Sequence, residues 1–228
     1  MSFPKRIALL VLGALAAFAA LPSPAAAAWP HDKSGVVVQP YSSTARVCSD
    51  GAGGTFVAFN LYSYSTSSYD LYVQRFDASG VAKYAAPGVL VCDAVNSQYP
   101  EAIVSDSYGG CIVAWQDYRG GGQVDYYAQR VESGVPQWTA NGVPICTATG
   151  NQTGLNVEAN AGVLWFVWTD PRNAGTTGND IYAQALSLFG GIPNLPANGQ
   201  VVCNAAGDQG APDFVADENG YAHIVWQD

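Results

Sequence analysis

One strand motif recurs at a fixed interval, and that interval narrows the folds open to the chain. Asp70, Tyr72 and Gln74 are followed by Asp125, Tyr127 and Gln129 and then by Asp180, Tyr182 and Gln184; 125 − 70 and 180 − 125 both equal 55. A period of this size marks a fold assembled from copies of one supersecondary unit, each burying its apolar faces against the next. A polar residue present in every copy is then explained by the contact each copy makes with its neighbour. The same reasoning covers Trp115, Asp117 and Arg119, their counterparts Trp168, Asp170 and Arg172, and the pair Trp226 and Asp228. All of these read as structural repeat residues.

The first stretch places Lys5 and Arg6 before an apolar run from Ile7 to Leu21, then small residues from Ala25 to Ala28. That is the pattern of a secretory signal peptide over residues 1–28, cut after Ala28. The apolar run is too short for a membrane span, and the later apolar runs have only strand length. Cleavage leaves 228 − 28 = 200 residues with 7 basic and 18 acidic side chains, a net charge of 7 − 18 = −11. Such a surface repels nucleic acid and anionic membranes, both of which are bound through Lys and Arg. The expected setting is therefore secreted or cell-surface, with an extracellular glycan or protein as the partner.

Each repeat reads as four short strands. Turns at Asp50–Gly54, Asp106–Gly110 and Asp217–Gly220 combine an acidic residue with glycine, which is hairpin chemistry: the carboxylate caps the turn and glycine supplies positive φ. In the third strand, Asp125, Tyr127 and Gln129 share one face while Tyr126, Ala128 and Arg130 share the other, and both faces need cover. Tiling the unit gives a segment at 29–44 with a lone strand, Gly35–Gln39, then units at 45–94, 100–148 and 155–205 and a partial unit at 211–228. No helix signal follows the leader. The expected class is all-β, a β-propeller of four-stranded antiparallel blades with about three and a half blades present. The chain stops at Asp228, inside the repeated Trp-x-Asp motif, so the sequence is read as part of a larger ring.

Three further elements complete a resemblance: the Trp-x-Asp-x-Arg strand ends, the strand Asp180-Ile181-Tyr182-Ala183-Gln184, and connectors such as Val91-Cys92-Asp93-Ala94 leading to Gln98. Together they resemble exported bacterial β-propeller repeats, with a strand pattern similar to that of sialidase-like propellers. The resemblance implies a propeller on a surface or extracellular protein. It would also allow a sialidase-like glycoside hydrolase with its catalytic residues mostly outside this segment, or a purely architectural spacer. Sialidase-type catalysis needs an arginine cluster, yet Arg119 with Arg172, and Arg75 with Arg130, occupy equivalent repeat positions. The preferred expectation is a non-catalytic binding and display module, with no catalytic residue, cofactor or metal assigned.

Residues outside the repeat are the better functional suspects. Trp138, Trp165, Tyr118 and Tyr126 fall in that group, as does the Ser- and Tyr-rich loop that begins with Tyr62 and Tyr64. That loop belongs to the unit that carries Phe59, Leu61 and Ser63 where the others have Trp, Asp and Arg. Cys92, Cys146 and Cys203 follow the repeat and read as small core residues. Cys48 and Cys111 do not, and are the one pair considered for a bridge. The acidic turns offer one or two carboxylates each, fewer than a calcium loop supplies. Asn151-Gln152-Thr153 is a glycosylation sequon by pattern alone.

Overall fold

A computed structural model describes residues 42–228. The leader and Gly35–Gln39 lie outside the described residues. All regular structure among the described residues is β. Blade 1 consists of β1 (Ala45–Ser49), β2 (Thr55–Ser63), β3 (Ser68–Phe76) and β4 (Val89–Cys92), hydrogen-bonded in that order. Blade 2 is built from β5 (Gln98–Ser105), β6 (Cys111–Asp117), β7 (Asp125–Glu132) and β9 (Val143–Cys146). A two-residue strand β8 (Val135–Pro136) also pairs with the end of β7. Blade 3 repeats the plan with β10 (Thr153–Asn160), β11 (Val163–Asp170), β12 (Asp180–Ser187) and β13 (Gln200–Cys203). A two-stranded sheet of β14 (Gly210–Ala216) and β15 (Ala222–Gln227) comes next. Every pairing is antiparallel, so the chain forms β-propeller blades.

The first strands β1, β5, β10 and β14 neighbour one another in that order, and the later strands of each blade radiate from them. Phe56, Leu71 and Val73 of blade 1 pack with Val113 and Trp115 of blade 2 in one cluster. Ile112, Tyr126 and Ile145 of blade 2 meet Leu164, Phe166 and Trp168 of blade 3 in another. Val167, Ile181 and Ala183 of blade 3 meet Phe214 and Ile224 of the next sheet. These cores lie between blades, while Val57, Phe59 and Phe76 form a smaller cluster on the other face of blade 1.

Repeated side chains fix the loops. Gln74 donates from Nε2 to Tyr84 O (3.0 Å) and accepts from Tyr84 N (2.9 Å), which ties the long β3–β4 crossing to its own strand. Gln129 does the same with Thr139 O and Trp138 N, and Gln184 donates to Pro196 O. Gln98, Gln152 and Gln209 are fully or almost fully buried and donate back into the connectors that precede them. Gly142 and Gly199, at φ +82° and +85°, end the turn before the fourth strand, where a Cβ would overlap the Trp115 or Trp168 indole. Only glycine meets both demands.

Candidate ligand-binding site

The Trp, Asp and Arg set forms a clasp between blades. Asp117 is fully buried and accepts from Trp115 Nε1 (2.7 Å), Arg119 N (2.9 Å), Arg119 Nε (2.8 Å) and Arg119 Nη2 (2.7 Å). Arg119 Nη2 also reaches Cys92 Sγ of the preceding blade at 3.3 Å and Asn141 O at 2.8 Å, and the guanidinium lies 3.8 Å from the Tyr127 ring centroid. Blade 3 repeats the arrangement: Asp170 accepts from Trp168 and Arg172, and Arg172 Nη2 meets Cys146 Sγ at 3.2 Å and Asn198 O at 2.8 Å. Burial pushes the Asp170 carboxyl up, but its bonds from Arg172 and Trp168 outweigh this and hold it below the usual carboxylate range. Burial also pushes the Cys92 and Cys146 thiols up to about 12, so they serve as packing groups. Cys48 and Cys111 stand as free thiols.

At the opposite strand ends, Asp50 caps its turn by accepting from Ala52 N and Gly54 N while Arg75 Nη2 sits 2.8 Å from its other oxygen. Asp106 accepts from Tyr108 N and Gly110 N and pairs with Arg130 at 2.8 Å. In blade 3 the corresponding residues are Asn160 and Ala185, so acid and base disappear together. Among the described residues, no group of three or more metal-ligating side chains is assembled.

Two of the six sequence-selected ligand candidates, Tyr126 and Trp138, are core residues instead, and a third, Trp165, is partly buried against the β14–β15 sheet. Tyr126 is fully buried because it occupies the register position filled by Leu71 in blade 1 and Ile181 in blade 3. Trp138 sits in the inter-blade core, donates to Leu188 O (3.2 Å) and lies under Gly191 of blade 3, much as Tyr84 lies against Gly134 of blade 2. Trp165 stands where Ile112 and Phe56 face the following blade, and its Nε1 donates to Gly220 O at 3.0 Å. All three are larger versions of repeat core positions. Trp226, expected in the core, is 37% exposed: its β14–β15 sheet has no third strand over it among the described residues.

Tyr62, Tyr64 and Tyr118 are brought together. They belong to a continuous row, Tyr64–Tyr62–Tyr69–Tyr99–Tyr118, with successive ring centroids 5.1, 5.2, 5.7 and 5.7 Å apart. The row crosses from the β2–β3 loop of blade 1 to the β6–β7 loop of blade 2. Beside it lies a cleft of about 560 Å³ walled by residues 66–68, by Asn96 and Ser97 of the connector, by Tyr99 and Tyr118, and by Gly121 and Gly122. No lining side chain is charged. Asn96 holds φ 63°, the left-handed turn conformation that Gly150 and Gly207 hold at the same place in the next two connectors. Ser97 Oγ accepts from Tyr69 N (3.2 Å) and Asn96 Nδ2 donates to Tyr118 O (3.1 Å), so the walls are braced to each other.

Tyr69 and Tyr99 are not among the sequence-selected candidates, although the sequence carries a signal for them. Tyr69 stands where the later blades have Val124 and Asn179, and Tyr99 where they have Thr153 and Gly210. Tyr118 becomes Pro171 in blade 3, where Pro171 packs close to Gly150. The aromatic row therefore belongs to the blade 1–blade 2 junction and is not reproduced at the next.

The fold and site define a β-propeller with a polar, aromatic cleft at one blade junction. No family model matches the chain, and no curated protein matches it in sequence. Among solved structures it is similar to an endo-arabinase from Bacteroides thetaiotaomicron, with 13% identity and a TM-score of 0.40 over 79% of this chain and 68% of that one. It is also similar to an α-L-arabinanase from Penicillium chrysogenum complexed with arabinobiose (15% identity, TM-score 0.48, 82% of this chain and 57% of that one). A third similarity is to an α-L-arabinofuranosidase from Fusarium graminearum (11% identity, TM-score 0.45, 77% and 53%). The chain thus spans little more than half the length of the latter two, and the reading of its cleft rests on its own residues.

Proposed function

We propose that the chain is an exported, non-catalytic β-propeller module that binds a glycan or a protein on the cell exterior, with the tyrosine-lined cleft as its ligand seat. One observation carries the reading: tyrosines that depart from the repeat, Tyr69 and Tyr99 above all, converge on a single junction. Residues in every copy hold blades together, whereas residues at one junction have no such duty. Tyrosine adds a rigid, amphipathic contact surface at low entropic cost, and Ser, Asn and Gly supply adaptable polar contacts. The lining contains no carboxylate to serve as general acid or nucleophile, which favours binding over glycoside hydrolysis.

The test is a binding screen of the full chain against a panel of immobilised polysaccharides and surface proteins, repeated with Tyr99→Ala and Tyr118→Ala together. Binding that falls at least tenfold in the double variant, while its circular dichroism spectrum and cooperative unfolding above the assay temperature are retained, supports the reading. Binding that persists undiminished places the ligand elsewhere on the propeller and refutes it.

A further inference from the structure

We propose that the cleft takes a neutral glycan chain, laid along the tyrosine row from Tyr64 towards Tyr118; this rests on reading the cleft as the ligand seat. Two independent observations select the class. The first is the lining: ring faces, hydroxyls, an amide and the backbone of two glycines, with no Val, Leu, Ile or Met side chain. A sugar ring presents an apolar C–H face to an aromatic ring and hydroxyls around its rim, which is the complement of this wall. The cleft lacks the apolar, well-packed centre of a large protein interface; a protein held through the tyrosines alone is the outcome the experiment below separates.

The second observation is the disposition of charge. Every cation among the described residues already has a carboxylate partner: Arg46 with Glu101, Arg75 with Asp50, Lys83 with Asp77, Arg119 with Asp117, Arg130 with Asp106 and Arg172 with Asp170. The one described histidine, His223, faces Asp217 at 3.1 Å. Arg119 comes nearest the cleft in sequence, following Tyr118 directly, and its Nη2 is spent on Asp117, Cys92 and Asn141. Residues 42–228 carry 6 basic and 17 acidic side chains, 6 − 17 = −11. Among the described residues, a uronate, sialate or sulfate in the cleft would meet no guanidinium or ammonium without a carboxylate partner and would enter a negative field.

The length of the row suits a chain better than a single sugar. Five rings follow one another at centroid separations of 5.1 to 5.7 Å, braced edge to face or tilted at each junction, so the row is held rigid and extends beyond the reach of one sugar ring. Tyr64 is 90% exposed at the outer end, and Tyr62 is 38% exposed. Successive units of a polymer can therefore use successive rings.

The experiment is native affinity electrophoresis of the full chain in gels containing xylan, mannan or a linear β-glucan as neutral probes, and polygalacturonate or dextran sulfate as acidic ones. The expected result is retardation by at least one neutral polymer and by neither acidic one, with an affinity that changes less than twofold between low and high salt. Tyr99→Ala with Tyr118→Ala should weaken it at least tenfold. Tyr64→Ala, at an exposed position that cannot disturb folding, should weaken it severalfold. Retardation by an acidic polymer alone, lost in the tyrosine variants, overturns neutrality while leaving the seat intact. Retardation by any polymer that survives all the tyrosine substitutions overturns the seat itself. No retardation by any polymer overturns the glycan assignment, and a protein bound instead through the tyrosines would leave the seat intact.

Discussion

Copying blade 1 into blade 2 tests whether the clasp acts as a unit. Asp117→Leu alone, which borrows the residue that blade 1 carries at Leu61, leaves the Trp115 indole N–H buried without an acceptor and strips Arg119 of its carboxylate. Removing one partner of a buried pair costs about 3–5 kcal/mol. The Arg119 side chain keeps 23% of its exposure, so water recovers part of its share and the lower end applies. The orphaned indole adds about 1 kcal/mol, giving about 4 kcal/mol in all. The triple change Trp115→Phe, Asp117→Leu and Arg119→Ser reproduces the blade 1 set of Phe59, Leu61 and Ser63. It leaves neither a buried unpaired charge nor a stranded indole. Its main cost is the smaller ring in the Trp115 site, about 1–2 kcal/mol, because swapping a whole buried pair for apolar groups is close to neutral. The triple variant should therefore be more stable than the single one by about 2–3 kcal/mol, the sign that additive costs could not give. Equilibrium urea unfolding followed by circular dichroism reads this as a midpoint for Asp117→Leu about 2 M below wild type, at a slope of about 2 kcal/mol per M, with the triple variant recovering half of the loss or more. A triple variant no more stable than Asp117→Leu would refute the reasoning.

Asp70 should behave in the opposite way to Asp170. Burial, together with the nearby Asp93 carboxylate, raises its pKa, and its Oδ1 has no hydrogen-bond partner. A raised folded pKa gives stability that is complete below the unfolded value of about 3.9 and is lost as pH rises through the folded one. Asp70→Asn should therefore raise the melting temperature at pH 7, with the gain vanishing as the pH is lowered towards 4; an equal gain at both pH values would show that charge is not the cause. Asp170 is held low, so its contribution is present above about 3.9 and is lost as pH falls through its folded value. Acid unfolding of wild type but not of a variant that lacks the clasp should track that loss. Burial pushes the thiols of Cys48, Cys92 and Cys146 up to about 12 and raises that of Cys111 as well. At pH 8 iodoacetamide should label Cys92, Cys111 and Cys146 only after urea is added, as mass spectrometry of the peptides would show; rapid native labelling would contradict the packing described here.

The 55-residue period makes the blade plan legible because each copy solves the same packing problem with the same residues. Strand order, turn positions and the loop-tying role of Gln74, Gln129 and Gln184 follow from that regularity. The candidate site is only half legible. Tyr62, Tyr64 and Tyr118 stand out because they sit in a loop or at a strand end, where the repeat visibly changes. Tyr126, Trp138 and Trp165 mislead because a large aromatic ring looks exceptional in a sequence, yet each fills a position that holds an apolar or aromatic group in the other blades. Identity is a poor guide there; register is the better one. Tyr69 and Tyr99 are hidden for the converse reason, since each looks ordinary in its own strand and is exceptional only beside Val124, Asn179, Thr153 and Gly210.

The arginines of this fold come and go together with their carboxylates, and that habit links the scaffold to the site. Asp50 with Arg75 and Asp106 with Arg130 give way to Asn160 and Ala185 in blade 3; Asp117 with Arg119 and Asp170 with Arg172 correspond to Leu61 and Ser63 in blade 1. A half-lost pair would leave an uncompensated ion in a buried inter-blade seam, which costs far more than losing both members. Arginine in this chain is thus a cross-linking residue, fixed in number by the seams that need it. It follows that adding a free cation to the cleft, as in Ser97→Arg, should create what the wild type lacks. That variant should be retarded by polygalacturonate at low salt and released as salt rises, because the new contact is an exposed ion pair. If wild type already binds the acidic polymer as well as the variant does, an unpaired cation serves the cleft after all, and the link between scaffold pairing and ligand class fails.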